Sequence, residues 1–336
     1  RRWKKKVGVA LLFIILALAL AITLTIGWRP IIGAKARALS DRRFELTSER
    51  RERGRYLAEN VMGCFDCHSE KNWTQPGAPP VAGKAGAGRD WTIEGMPWLV
   101  ASNITPDVET GAGAWTDDAF ARAIREGIGH DGRALFPVMP YTSYRELSDE
   151  DLASLIVYLR SLAPVRNALP PTRIPFPLSR LIQSAPEPLT QAVAPPEWSD
   201  QAERGAYLVK MATCASCHTA HDQGQPLPGL EFAGGDILKY PGGEVASANL
   251  TPHPTGISYY DENIFLETMR TGRVRARALN PVMPWAFYRG MTDEDLKAIF
   301  AYLRTLKPAS HAVDNTERPT PCKLCKHQHG LGERNY

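Results

Sequence analysis

A duplication limits what this chain can fold into. RGRYLAENVMGCFDCH (Arg53–His68) returns as RGAYLVKMATCASCH (Arg204–His218), and ASNITPD (Ala101–Asp107) returns as SANLTPH (Ser247–His253). PVMPYTSYRELSDEDLASLIVYLRSLAP (Pro137–Pro164) returns as PVMPWAFYRGMTDEDLKAIFAYLRTLKP (Pro281–Pro308), at a constant offset of 144 residues. Repetition on this scale means two copies of one domain. The length of 336 residues suits two domains of ordinary size. The charged (23%) and aromatic (9%) fractions are those of a globular chain and exclude a disordered one.

Each copy reads as mostly helix. Ser148-Asp-Glu-Asp151 and Thr292-Asp-Glu-Asp295 each offer a capping hydroxyl followed by acids in a first turn. Leu152, Leu155, Ile156 and Leu159 then recur at helical spacing, as do Leu296, Ile299, Phe300 and Leu303; both runs stop before a proline, Pro164 or Pro308. WTDDAFARAIREG (Trp115–Gly127) and YYDENIFLETMRTG (Tyr259–Gly272) predict a further helix in each copy, closed by glycine. Strand signals are few, so the expected class is all-α. The expected order is a basic segment (1–6), a transmembrane anchor (7–27), a linker (28–48), domain one (49–165), a Pro-rich linker (166–198), domain two (199–308) and a tail (309–336). Prolines at the density of ALPPTRIPFPLSR and PEPLTQAVAPPEW favour an extended, semi-rigid spacer.

The N-terminal end explains the charge. Residues 1–37 hold eight Lys/Arg and no acid, so the +4 of the whole chain becomes −4 once those eight are set aside. The basic bias is local, which argues against a nucleic-acid partner. Val7–Ile26 is an uncharged apolar run of twenty residues, enough at about 1.5 Å each to cross a ~30 Å hydrocarbon core. It exceeds the roughly 7–15 residues of a signal-peptide apolar region, so an uncleaved anchor in lipid is expected. Positive charge before it places the N-terminus in the cytoplasm and the domains in the periplasm of a bacterial inner membrane.

The chemistry sits in Cys64-Phe-Asp-Cys67-His68 and Cys214-Ala-Ser-Cys217-His218. Both fit the covalent haem-attachment pattern C-x-x-C-H. Two cysteines three apart at a helix start can form thioethers to the two vinyl groups of one macrocycle, and the next imidazole then points at the iron. A redox dithiol would sit in a βαβ pattern that neither copy shows. A zinc site would lack partner cysteines within each domain. Local disulfides would not explain the repeated histidine. Two covalent haems c are therefore expected. Of seven methionines, Met139 and Met283 are in register between the copies, each within P-V-M-P, where flanking prolines stiffen the loop; they are the expected second axial ligands. Met62 and Met211 should lie on the wrong face, Met291 aligns with Leu147 and reads as core, and Met96 is the competitor in domain one. His130 and His253 read as loop histidines. Arg125 and Arg270 suit either haem propionates or solvent. Asn103 and Asn249 suit either a turn or a propionate.

Together these motifs resemble the cytochrome c subunits of membrane-bound alcohol and gluconate dehydrogenases and their dihaem relatives. The likeness covers roughly residues 50–165 and 200–308 and includes EFAGG (Glu231–Gly235). It implies tandem class I cytochrome c folds, a periplasmic position and relay of electrons toward quinone or a terminal oxidase. By carry-over, Cys64, Cys67 and His68 hold the first haem with Met139, and Cys214, Cys217 and His218 hold the second with Met283. Subunits of that type usually carry three haem domains, and here there are two, behind an N-terminal helix, so a dehydrogenase partner does not follow.

A filled iron favours electron transfer over substrate binding. The expected function is a membrane-anchored electron relay within or to a respiratory or photosynthetic complex, with donor and acceptor proteins and complex subunits as partners. The alternative is the cytochrome subunit of a periplasmic dehydrogenase. A dihaem peroxidase would need an open iron, which two in-register methionines argue against, so the chain is not expected to be an enzyme by itself. The tail, PTPCKLCKHQHGLGERNY, is no third copy: Lys326 stands where the attachment pattern needs histidine, and no P-x-M-P loop follows. A metal site of Cys322, Cys325, His327 and His329 has suitable ligands. A haem on Cys322 and Cys325 with Lys326 or His327, a disulfide, and free thiols in a docking tail are the other readings. A tail with so little apolar content is expected to be ordered by something it fastens to.

Overall fold

The computed structural model describes residues 2–336. It gathers them into two compact units. The first holds the N-terminal segment through Arg43 with Thr116–Arg145 and Ile174–Gln191. The second holds Phe44–Trp115, Glu146–Arg173 and Ala192–Tyr336.

In the first unit, Arg2–Leu24 is one continuous helix of 23 residues with no buried side chain, and its most apolar 18-residue stretch has mean hydropathy 3.0. At about 1.5 Å per residue it is long enough to cross a bilayer core. Thr23 and Thr25 donate their hydroxyls to the carbonyls four residues back, so they expose no unpaired polar group. The helix Asp117–Glu126 forms where the sequence predicts one, with the Thr116 hydroxyl accepting from the Ala119 amide and Gly127 (φ 70°) closing it. Its buried Asp118 and Glu126 both accept from Arg37, at 2.6 and 2.8 Å.

The second unit is built on two helix crossings of the same design. Ser48–Tyr56, extended by a π-helical turn at Leu57–Val61, crosses Asp149–Arg160; Gln201–Met211 crosses Asp293–Thr305. The capping residues act as expected: the Ser148 and Thr292 hydroxyls each accept from an amide three residues on, at 3.1 Å. The crossings are set by the glycine of each R-G-x-Y-L motif. A Cβ on Gly54 would stand 1.9 Å from the Ser154 carbonyl oxygen, and one on Gly205 would stand 1.9 Å from that of Ala298. Only glycine lets the backbones approach this closely.

The two crossings are tied to each other by exchanged contacts. Arg53 makes a two-toothed ion pair with Asp151 (2.8 and 2.8 Å), and Tyr207 of the other copy donates to the same carboxylate at 2.7 Å. Arg204 pairs with Asp295, and Tyr56 donates to that carboxylate in turn. Trp198 lies between, 5.2 Å from the Arg53 guanidinium and 5.9 Å from that of Arg204. Burial and the neighbouring carboxylates push both tyrosine hydroxyls well above their usual pKa, so they stay protonated donors. The arginine and tyrosine of R-G-x-Y-L are thus used for joining the copies.

The fold is mainly helical but not all-α. Among the described residues, ten short strands pair into five two-stranded antiparallel ribbons. Arg89–Trp91 pairs with Met96–Ala101 in copy one, and Ile237–Tyr240 with Gly243–Ala246 in copy two. Strands of two to six residues are too short to print a period-two pattern on the sequence. Gly54→Ala or Gly205→Ala should destabilise the protein by about 3 kcal/mol, the upper range for overpacking a tight contact. Denaturant unfolding of the purified chain checks this, and an unchanged midpoint would contradict the crossing.

Candidate haem-binding sites

Each C-x-x-C-H motif begins at a left-handed residue, Gly63 (φ 56°) or Thr213 (φ 53°). Threonine there costs about 1–2 kcal/mol over glycine, yet the turn is kept. A short helix follows, Cys64–Cys67 or Cys214–His218. Residues three apart share one helix face, so both sulfurs of a pair are presented together. All four cysteines are half-buried and free. Burial pushes the thiols of Cys64, Cys67 and Cys214 up to about 12 and raises that of Cys217. A redox dithiol needs the opposite shift.

The histidines are held the same way in both copies. His68 Nδ1 lies 2.7 Å from the Ser102 carbonyl oxygen and His218 Nδ1 lies 2.7 Å from that of Ala248. A carbonyl can only accept, so Nδ1 carries the proton and Nε2 keeps its lone pair. Burial lowers the pKa of both imidazoles, which keeps them neutral, the form that ligates a metal. This is the arrangement that orients a metal-ligating histidine.

The two accepting carbonyls come from the residues just before N-[IL]-T-P, and that motif holds them. Asn103 Oδ1 accepts from the Thr105 amide (3.0 Å) and hydroxyl (2.7 Å), while its Nδ2 donates to the Val165 carbonyl (2.7 Å). Asn249 repeats this with Thr251 (2.8 and 2.8 Å) and Ala309 (2.9 Å). Both asparagines therefore serve a turn. Ser102 and Ala248 are functional positions that sequence reasoning passed over, because a backbone carbonyl leaves no mark on residue type; their place before a repeated motif is the one signal. The other face of each loop is fixed by Gly88, whose amide donates to the His68 carbonyl, and Gly234, whose amide donates to that of His218, both at 2.7 Å.

Beside the first motif, Arg89 Nε and Trp91 Nε1 are buried donors with no partner. Arg89 turns its other nitrogens to Glu94, at 3.1 and 2.7 Å. Orphaned donors of this kind fit the carboxylates of a haem's propionates. With paired sulfurs and an oriented, neutral imidazole, they make the residues fit a covalently attached haem.

The remaining sequence candidates fall as follows. Met139 lies in the first unit and Met283 in the second, both half-buried. The loops have one conformation: the Tyr141 amide donates to the Met139 carbonyl (2.7 Å), the Trp285 amide to that of Met283 (2.8 Å). Pro140 (φ −81°, ψ 47°) and Pro284 (φ −81°, ψ 46°) also match. Met62, Met211 and Met291 are core residues, and Met96 pairs with Trp91 in a ribbon. His253 is tied to Thr255 within its own turn. Arg270 pairs with Asp293 at 2.5 Å, whereas Arg125 is buried.

The tail differs from its sequence reading in two ways. It packs on its own chain: Cys322 and Cys325 join Ala220, Leu230 and Ala233 in one core cluster, with Leu324 against it. Asn335 locks to Ala312 by two hydrogen bonds of 2.8 and 2.9 Å. Local apolar content is enough, because Ala220, Leu227, Leu230 and Ala233 of copy two pack against it. Moreover, the structure gathers Cys322, Cys325 and His329 with His311, and not with His327. His327 donates through Nε2 to the His221 carbonyl at 2.9 Å instead.

A C-x-x-C-H motif at the start of a helix is the pattern of the c-type cytochromes. Residues 202–307 match the Cytochrome c family model and form a cytochrome c domain. Over most of its length the chain is similar to cytochrome-bearing subunits of dehydrogenases. It is 31% identical to one of the subunits of the nicotinate dehydrogenase of Pseudomonas putida over 80% of this chain and 22% of that protein. It is 31% identical to the fructose dehydrogenase cytochrome subunit of Gluconobacter japonicus over 76% of this chain and 52% of that one. It is 28% identical to a dihaem c-type cytochrome of Cereibacter sphaeroides over 72% of this chain and 81% of that one. The chain thus spans about half or less of the two dehydrogenase relatives.

Replacing Asn249 by Ala should free the Ala248 carbonyl and weaken its hydrogen bond from His218, a bond that would make the imidazole a stronger donor to a bound ferric iron. The reduction potential of that haem should rise on the order of tens of millivolts, about 59 mV being a tenfold change for one electron. Spectroelectrochemical titration checks it; two unmoved potentials would contradict the role of the motif.

Proposed function

We propose that this chain is a membrane-anchored, dihaem cytochrome c that relays electrons in the periplasm, within or to a membrane complex. The observation that carries the reading is the pair of equivalent attachment sites, each with its imidazole clamped to a carbonyl, inside one compact unit. A bound haem supplies a one-electron Fe(III)/Fe(II) couple. Cys64 and Cys67, and Cys214 and Cys217, fix the macrocycles. His68 and His218, each held through Nδ1, would offer Nε2 to the iron. Arg89 and Trp91 offer donors for the propionates at the first site. By repeat register, Met139 and Met283 would supply the second protein ligand of each iron. An iron so held by two protein ligands would pass electrons and leave no place for a substrate.

The division into two tandem class I domains, 49–165 and 199–308, follows from the same register. The helix Arg2–Leu24 serves as the anchor, with the basic residues of its first turns (Arg2, Lys4, Lys5, Lys6) on the cytoplasmic side. The exchanged Arg–Asp–Tyr contacts suit a relay, because electron transfer between two centres requires their modules to keep one arrangement. A cytochrome subunit of a periplasmic dehydrogenase is the second reading, favoured by the names of the relatives. Donor and acceptor proteins and neighbouring subunits are the expected partners.

Met283→Ala should lower the potential of one haem and leave the other within experimental error, since methionine ligation raises the potential. Potentiometric titration of the full chain in detergent checks it. Unchanged midpoints would overturn ligation by Met283, and peroxide turnover by the purified wild type would overturn the relay reading.

A further inference from the structure

The tail cluster has features that packing alone does not require. Cys322 (4% exposed), Cys325 (0%), His311 (0%) and His329 (2%) are all buried. One ligand atom from each falls within 4.8 Å of the other three. His311 Nδ1 donates to the Ala233 carbonyl (2.9 Å) and His329 Nδ1 to that of Gly330 (3.0 Å), so each Nε2 keeps its lone pair. His311 Nε2 faces Cys322 Sγ at 3.4 Å, and His329 Nε2 is buried with no hydrogen-bond partner. In a tetrahedral zinc site with Zn–S near 2.3 Å and Zn–N near 2.0–2.1 Å, adjacent sulfur and nitrogen stand about 3.5 Å apart. The Cys322–Cys325 turn also fits: the Cys325 amide points at Cys322 Sγ at 3.5 Å. Lys326 (φ 64°) then reverses the chain so that His329 returns on the Gln328–Gly330 strand.

Comparison of the two copies isolates the added chemistry. His311 stands 144 residues after Asn167, the offset of the repeat. Asn167 Nδ2 donates to the Ala87 carbonyl at 2.9 Å, the counterpart of the His311 bond to Ala233. The structural task is thus met by asparagine in copy one; histidine in copy two adds Nε2 and nothing else the fold needs. The next position agrees. Arg89 follows Gly88, whereas Gly235 follows Gly234, and a Cβ on Gly235 would meet His311 Cε1 at 2.3 Å and Cys325 Sγ at 3.3 Å. Copy two has given up a side chain where the cluster sits.

We infer that His311, Cys322, Cys325 and His329 bind one structural zinc ion, which fastens the tail to the second haem domain. Binding releases the two thiol protons, and two thiolates with Zn²⁺ leave a neutral centre suited to burial. The ligand shell is closed, so the ion is structural and not catalytic. It braces the loop whose Gly234 amide holds the His218 carbonyl.

Metal analysis of the full chain, purified in detergent without chelator, should find one zinc per chain in addition to haem iron. Cys322 and Cys325 should alkylate only after denaturation with a chelator. His311→Asn keeps the bond to Ala233 that Asn167 demonstrates, and should lower bound zinc about tenfold or more with haem content unchanged. His327→Ala should keep its full zinc. Wild-type protein lacking zinc, whether its two tail cysteines are then found as a disulfide, as haem thioethers or as free thiols, would overturn the inference. So would a stoichiometric metal other than zinc, or full zinc retention by His311→Asn.

Discussion

The close crossing of helices at Gly54 and Gly205 is the constraint on which the rest depends. Each glycine brings the helix before a C-x-x-C-H motif against the helix that ends the same copy. That fixes where the motif begins and where the chain after the last helix emerges. Val165 and Ala309, just past those helices, receive the asparagines of N-[IL]-T-P. Those asparagines in turn hold the carbonyls that orient His68 and His218. A side chain at the crossing would displace the whole series, from backbone contact to imidazole.

The same series explains how the copies diverged. Both keep the crossing, the left-handed entry residue, the imidazole clamp and the P-V-M-P turn. They differ just behind the histidine. Copy one fills that space with Arg89 and closes the loop with Asn167; copy two empties it at Gly235 and closes the loop with His311. The tail then supplies the two cysteines and His329. Two copies of one sequence pattern therefore support their C-x-x-C-H motifs by different means.

Much of this was legible in the sequence. The C-x-x-C-H motifs, the helix caps, the helix ends before proline and the apolar N-terminal helix all rest on residue type at fixed spacing, and such signals survive without a structure. The ribbons did not show, because strands of a few residues carry no period. The carbonyls of Ser102 and Ala248 did not show, because they are backbone atoms. His311 was missed because its partners lie eleven or more residues away, while His327 was nearer in sequence and is turned aside by His221. Proximity along the chain stood in for proximity in space, and at a tight turn such as Cys322–Lys326 the two part company.

Mass spectrometry of the purified chain, intact and as peptides, is the decisive test of two covalent haems. The added mass of two haems is expected, one on the peptide holding Cys64 and Cys67 and one on that holding Cys214 and Cys217, with none on Cys322 and Cys325. A chain without added mass, with a single haem, or with a haem on the tail would contradict it.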